Sequence, residues 1–265
     1  MSKNVLKTTY ITDSGNVFKK DTGAWDFVYE VSTVKSERWN IGDEVVVPGG
    51  REFVYAKSSA ECKTGQACEF TALGYTAYTA LGVSAAKGAR SITIAAATHA
   101  ALTKDELQGG YVVIYNDADS TGMFRGIVGN AAAVANAAFV IYLDAPLSAA
   151  LVAATALTET FQNPYAALRT GAECSYSKAG VPAAYVSGAN EYFWVQKKGP
   201  CWLAPQTSNV GENGGRGCFF RHDGSLEGAE VALTATVPAA DSSQYAGFCL
   251  EGSQAGNGPL FMLNG

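Results

Sequence analysis

Short apolar runs alternate with polar, glycine-rich punctuation along most of this chain. "EVVV" at 44–47 is a β-branched run. Pro48, Gly49 and Gly50 supply a turn, and Glu52 to Ala56 return with Phe53 and Tyr55 on one face, so 44–56 predicts a hairpin. "GARSITI" sets Ile92 and Ile94 against Ser91 and Thr93, the two-residue period of a strand with one buried face. "GGYVVIYND", "GMFRGIVG" and "AAFVIYLDAPL" predict three more strands, the last ended by Asp144 and Pro146, and "GAEVALTATVP" predicts another near the C-terminus. Within the polar first forty residues the best strand is Trp25 to Val31. Helical composition is confined to Ser148–Ala156, about two turns. The alanine-rich stretch from Asn130 to Ala138 lacks an amphipathic face and reads as a loop. No repeat recurs at a fixed period. The pattern predicts a mainly β chain of short-stranded barrel or sandwich subdomains with very little helix. Its expected segments are an extended N-terminal arm (1–40), a hairpin or barrel segment (41–80), a central β domain (81–167) and a C-terminal β domain (168–265).

One stretch breaks the alternation. In "EYFWVQKKGPCWLAP", Tyr192, Phe193 and Trp194 are consecutive, and Trp202 follows eight residues after Trp194. Consecutive aromatics put bulk on both faces of a strand. Either the strand lies between two layers of its own chain, or one face is covered by a partner, where aromatics are enriched. On the second reading the candidate interface residues are Tyr192, Phe193, Trp194 and Trp202, with Trp25 and Trp39.

Composition favours a covered surface. Charged residues make up 16% of the 265, against about 25% in ordinary globular chains, and charge is what keeps free monomers apart. The net charge of −5 argues against nucleic acid as the main ligand, since phosphates need a basic face. No stretch offers the roughly 18 uninterrupted apolar residues of a membrane-spanning helix. "MSKNVLKTTYITDSG" has lysines with no apolar run behind them, so no signal peptide is expected. The six cysteines are then expected in a reducing compartment, as small buried hydrophobes. A late Cys62–Cys68 disulfide is the alternative.

Candidate chemistry is sparse. The two histidines, His99 and His222, fall in a loop and beside an Asp223–Gly224 turn, and no G-x-S-x-G elbow accompanies them. Asp117, Asp119, Thr121 and Gly122 imitate the start of a calcium loop, but the position that needs a bidentate glutamate is Val128. "GENGGRG" lacks the G-K-[ST] of a phosphate-binding loop. Lys197 and Lys198 read as the solvated end of a turn. No catalytic residue, metal ligand or cofactor is expected.

The order of segments carries a resemblance. "GDEVVVPGGREFVYAK", "GARSITI", "GGYVVIYNDADSTGMFRGIV", "FVIYLDAPL", "NPYAAL" and "VPAAYVSGANEYFWVQKKGPC" follow one another over 41–205. This series resembles a family of virion structural proteins of tailed bacteriophages, generally read as capsid decoration (cement) proteins. The most specific pieces are "NPY" at 163–165 and "YFWVQKKGPC". The resemblance implies a non-enzymatic protein made in the host bacterial cytoplasm and placed on the capsid exterior. Its implied partners are the major capsid protein and further copies of itself, as a homotrimer. A tail or baseplate component is the alternative within virions. A carbohydrate-binding receptor module is the alternative from another class, while a glycan hydrolase lacks an identifiable carboxylate pair.

Overall fold

The computed structural model describes residues 8–11, 17–20, 25–47, 49–116, 121–153, 155–171, 176–205, 210–211, 216–228, 244–252 and 259–264. Among them the regular structure is strand, with two short 3-10 turns and no α-helix, so the chain is mainly β. The strands are β1 (Thr8–Ile11), β2 (Val17–Lys20), β3 (Glu44–Val47), β4 (Arg51–Lys57), β5 (Cys68–Glu69), β6 (Gly74–Ala80), β7 (Ser91–Ile94), β8 (Tyr111–Asn116) and β9 (Thr121–Asn130). They continue as β10 (Phe139–Leu143), β11 (Ala156–Phe161), β12 (Lys178–Pro182), β13 (Tyr192–Trp202), β14 (Gly217–Phe220), β15 (Leu226–Gly228), β16 (Gln244–Glu251) and β17 (Leu260–Leu263). No described helix is long and apolar enough to cross a membrane.

Contacts divide the chain into two compact units, Ala72–Pro164 and Met1–Thr71 with Tyr165–Gly265. Residues 41–71 therefore pack with the C-terminal part of the chain, and residues 72–80 with the central part.

The inserted unit is a six-stranded antiparallel sheet in the order β6-β11-β8-β9-β10-β7. Its two end strands are tied together by a bridge from Leu81 to Ile94, with Gly82 N donating to Thr93 O (2.8 Å) and Ala95 N to Ala80 O (2.9 Å), so the sheet curls into a barrel. The interior takes alternate residues: Ile92 and Ile94, Val112 and Ile114, Met123 and Ile127, Phe139, Ile141 and Leu143. Each such side chain contributes about 1.5–3 kcal/mol when fully buried. Buried Asn130 is satisfied, accepting from Leu107 N (2.8 Å) and donating to Thr103 O (2.7 Å), which anchors the 103–110 loop to β9. The described residues of Ser148–Ala156 do not form the expected helix. Leu147 exchanges backbone bonds with Gly88 and Ala89, and Leu151 with Ala85, so these amides are engaged across the fold rather than one turn along. Both leucines are buried by that pairing.

The other unit centres on β13, which pairs with β4, β12 and β17. The full order is β15-β14-β16-β17-β13-β12-β5, with the β3–β4 hairpin joined through β4. That hairpin matches its expectation, with Phe53 and Tyr55 on one face of β4 and Val54 and Ala56 on the other. The expected strand at Trp25–Val31 is instead a 3-10 turn over Asp26–Tyr29, in which Val28 N bonds Trp25 O (3.2 Å). The turn buries Val28 and brings Trp25 and Phe27 onto the same cluster. Within the expected arm, β1 and β2 form an antiparallel pair, and Ser32 bridges Tyr192. The expected strand "GAEVALTATVP" lies outside the described residues beyond Gly228.

A buried ionic node holds β5 to β12. Glu69 is fully buried, with Lys178 Nζ at 2.8 Å and Arg169 Nε at 3.0 Å, and Lys178 Nζ also donates to His222 O (2.6 Å). Removing Glu69 would leave the buried Lys178 ammonium without its counter-ion, a loss of about 3–5 kcal/mol.

Candidate functional site

The aromatic strand sits in two environments. From Tyr192 to Gln196, β13 lies between layers of its own chain. Phe193 and Val195 face one cluster with Val54, Ala56, Leu168 and Val186. Trp194 faces the other way, 5.1 Å ring to ring from both Trp39 and Tyr55 and 5.6 Å from Phe27. Tyr192 stacks on Tyr55 at 6.1 Å. Phe193 and Trp194 are thus corrected from interface candidates to core, because the chain supplies both layers. Tyr192, Trp25 and Trp39 are half-buried in the Trp194 cluster.

Beyond Gln196 the strand shifts register against β4. Gln196 Nε2 donates to Lys198 O (3.1 Å) and Pro200 O (2.8 Å), which fixes the irregularity. Lys197 and Lys198 lie within the strand and pair with Glu44 and Glu52, rather than ending a turn. Gly199 has φ +94°, and a Cβ there would sit 2.6 Å from Gly50 O. Past it, Cys201 points into a core with Leu203, Cys218, Phe220 and Phe261, while Trp202 is 51% exposed.

Trp202 belongs to an open face. It pairs with Leu260 on β17, which neighbours β16. Leu260, Phe248, Leu250 and Tyr245 are exposed on the same side of that sheet, opposite the buried Phe261, Leu263, Ala246 and Cys249. Tyr245 meets Phe219 edge to face at 5.6 Å. The barrel carries a second open aromatic face. Tyr111, Tyr115, Phe124 and Leu157 point outward, opposite the buried Val112, Ile114, Met123 and Ala156. Tyr111 stacks on Phe124 (5.2 Å, 14°), and Tyr78 on Tyr115 (5.8 Å, 13°).

The sequence reading missed both faces except for Trp202. Their signal was present. "YVVIY" and "FCL" are apolar at inward and outward positions alike, and a strand apolar on both sides needs a cover on each.

The remaining candidates are held by structural contacts. His99 Nε2 faces Ala137 O at 2.7 Å, and its ring meets Phe139 edge-on at 5.1 Å. Beside His222, Ser225 Oγ donates to Asp223 (2.6 Å), as does Ser225 N (3.0 Å). Burial works to raise the Asp223 carboxyl, but these two bonds and the Arg221 guanidinium hold it below the ordinary carboxylate range. The expected turn is there, with Gly224 at φ +82° against Ala67 O. Asp117 and Asp119 lie outside the described residues, as does most of "GENGGRG". Among the described residues no cluster of His, Cys, Asp and Glu fits a metal. The five described cysteines are buried and unbridged, Cys62 and Cys68 among them. Burial pushes the Cys201 and Cys218 thiols up to about 12.

No family model matches this chain, and no curated protein or solved structure is significantly similar to it.

Proposed function

We propose that this chain is a non-enzymatic phage virion structural protein, a capsid decoration protein that binds the outer surface of the major capsid protein shell as a homotrimer and stabilises the head. The observation that carries the reading is the open apolar face around Trp202. A core of Cys201, Cys218, Phe220 and Phe261 lies beneath it, and the chain leaves about half of the Trp202 side chain, which rests on Gly65, in water. Trp202, Tyr245, Phe248, Leu250 and Leu260 leave roughly 400 Å² of apolar surface to water, worth about 10 kcal/mol if covered, before ordering costs. Gluing neighbours together needs apolar area of this kind. The order of segments over 41–205 and the low charge point the same way.

The test is binding to capsids stripped of this protein. Wild type binds and raises the temperature at which the shells release their contents. Trp202→Ala and Leu260→Ser stay folded and bind at least tenfold more weakly. Wild-type protein that ignores the shell, or a Trp202→Ala protein that binds it unchanged, defeats the reading.

A further inference from the structure

We propose that Cys62 and Cys68 form an oxidation site, which a small-molecule disulfide of the glutathione class closes into an intramolecular bridge that staples the 62–68 loop beneath Trp202. The staple goes beyond the shell-binding reading and stands whether or not the chain binds a capsid.

The two thiols already face each other. Both cysteines are fully buried in one cluster with Val54, Ala56, Leu168 and Phe193, and their thiols are in hydrogen-bond contact. Cys62 Sγ also reaches Ala60 O at 3.7 Å. A single buried cysteine is explained as a small hydrophobe. Two whose sulfurs meet inside an apolar layer are placed for a sulfur–sulfur bond.

The backbone around them is fixed where a short bridge needs it. Cys62 exchanges both backbone bonds with Val186 (3.0 Å each), and Cys68 lies opposite Gly180 in the β5–β12 pair. Between them, Gln66 N closes a turn on Lys63 O (3.3 Å), with Gly65 at φ +83°. Lys63 N donates to Thr170 Oγ1 (2.9 Å) and Ala67 N to Gly224 O (2.7 Å). The loop is also the seat of Trp202. Ala204 N donates to Gly65 O (2.8 Å), and a Cβ at Gly65 would lie 2.9 Å from the indole. Next to Cys68, Glu69 carries the ionic node. A bridge across the base of the loop therefore holds both the support of Trp202 and the approach to Glu69.

The other described cysteines do not offer the same site. Cys218 and Cys249 also touch, but they stand diagonally across β14 and β16. Cys218 is opposite Gly247, while Cys249 N bonds Arg216 O (2.7 Å). Diagonal neighbours have Cα atoms about 7–8 Å apart, past the reach of an unstrained disulfide. Cys201 shares their core, and its thiol donates to the Trp202 carbonyl at 3.7 Å.

The chemistry balances as a two-step exchange. When the loop opens, the thiolate of one cysteine attacks the small disulfide, whose S–S bond breaks. A mixed disulfide forms and a small thiolate leaves. The thiolate of the second cysteine attacks the protein sulfur of that mixed disulfide and expels the second small thiolate. The two protons leave the protein thiols, and the two electrons reduce the small disulfide to two thiols. In the closed loop, burial and then the neighbouring Cys62 thiol hold the Cys68 thiol well above its ordinary range. It is protonated there, and exchange awaits opening. The same burial shields the bridge from reductants once it has closed.

The experiment uses the full chain in a Cys174→Ser background, reduced with dithiothreitol, freed of it and exposed to oxidised glutathione at about pH 8, where an exposed thiol is partly ionised. Oxidation is run on the folded chain and, separately, during refolding from urea, so that burial alone cannot hide the site. Alkylation in denaturant and peptide mapping then locate the bridge. The expected product is a Cys62–Cys68 disulfide, formed more slowly in the folded chain, with Cys201, Cys218 and Cys249 alkylated. Its melting temperature should lie about 5 °C above that of the reduced chain and return on adding dithiothreitol. Cys62→Ala should show neither the bridge nor the shift. A Cys62–Cys68 bridge by either route upholds the site. Free thiols at both positions after both treatments overturn it, as does a Cys218–Cys249 bridge in their place. A bridge that leaves the melting temperature unchanged, or an equal shift in Cys62→Ala, overturns the staple.

Discussion

Residues Tyr192–Gln196 and Gly199–Trp202 belong to one strand, and the two stretches are surrounded differently. The first is enclosed. Layers of the same chain lie against both sides, and Trp194 is 2% exposed among Phe27, Trp39, Val45 and Tyr55. The second is enclosed on one side, where Cys201 joins the core with Phe261, and open on the other, where Trp202 stands among Leu260 and its neighbours. The pivot between them is the register shift after Gln196 and the left-handed Gly199. Equal hydrophobicity therefore carries different information. An aromatic residue stabilises the fold where the chain itself supplies a second layer, and is left for a partner where it does not.

The largest test of that contrast is Trp194→Ala. Deleting a buried indole from a packed cluster costs about 3–5 kcal/mol, so the isolated chain should lose most of its cooperative melting by circular dichroism. If Trp194→Ala melts like wild type, the enclosed half is not enclosed. Gly199→Ala comes next. It places a Cβ 2.6 Å from Gly50 O at φ +94°, so strain of about 1–3 kcal/mol is expected, seen as a lower urea midpoint with an unchanged slope. An unshifted midpoint would mean that the pivot relaxes freely.

A third, finer test uses Cys201, next in sequence to Trp202. Its thiol is buried and pushed up to about 12, so at neutral pH it is protonated and inert. In a Cys174→Ser background, which removes the cysteine outside the described residues, a thiol reagent should label none of the other five while the chain is folded, and all of them in denaturant. Trp194→Ala should label quickly and Trp202→Ala should not. Rapid labelling of Cys201 in the parent would show that the inner side of the open half is also loose. The smallest expected effect on the fold is Trp202→Ala itself, about 1 kcal/mol, since half of the indole already faces water and the rest lies over Gly65. A loss comparable to Trp194→Ala would make the two halves equivalent and remove the contrast.

Much of the fold was legible before any coordinates. Alternation at Ser91–Ile94 and the turn residues after Val47 identify strands because their physics is local: a two-residue period for one buried face, and backbone freedom at Gly49 and Gly50. The spacing of short apolar runs between turn residues set the class as mainly β with little helix. Where the reading failed, non-local bonds decided. Leu147 and Leu151 have helical spacing, but their amides find partners at Ala89 and Ala85. The sequence around Trp25 looks extended, but one turn of 3-10 helix is what brings Trp25, Phe27 and Val28 onto the Trp194 layer.

The candidate surfaces divide in the same way. The run Tyr192–Trp194 announced bulk on both faces of a strand, and that much the sequence by itself determined. Which layer covers which ring was decided by the tertiary structure, since β4 and the 25–40 segment are far from β13 in the chain. The same holds for the ion triad of Glu69, Arg169 and Lys178, whose members are about a hundred residues apart in sequence from the glutamate, and for Tyr78 and Tyr115, joined across a third strand. A sequence specifies how much apolar surface each strand must hide. Only the packing of distant segments settles how much of it remains to be hidden by something else.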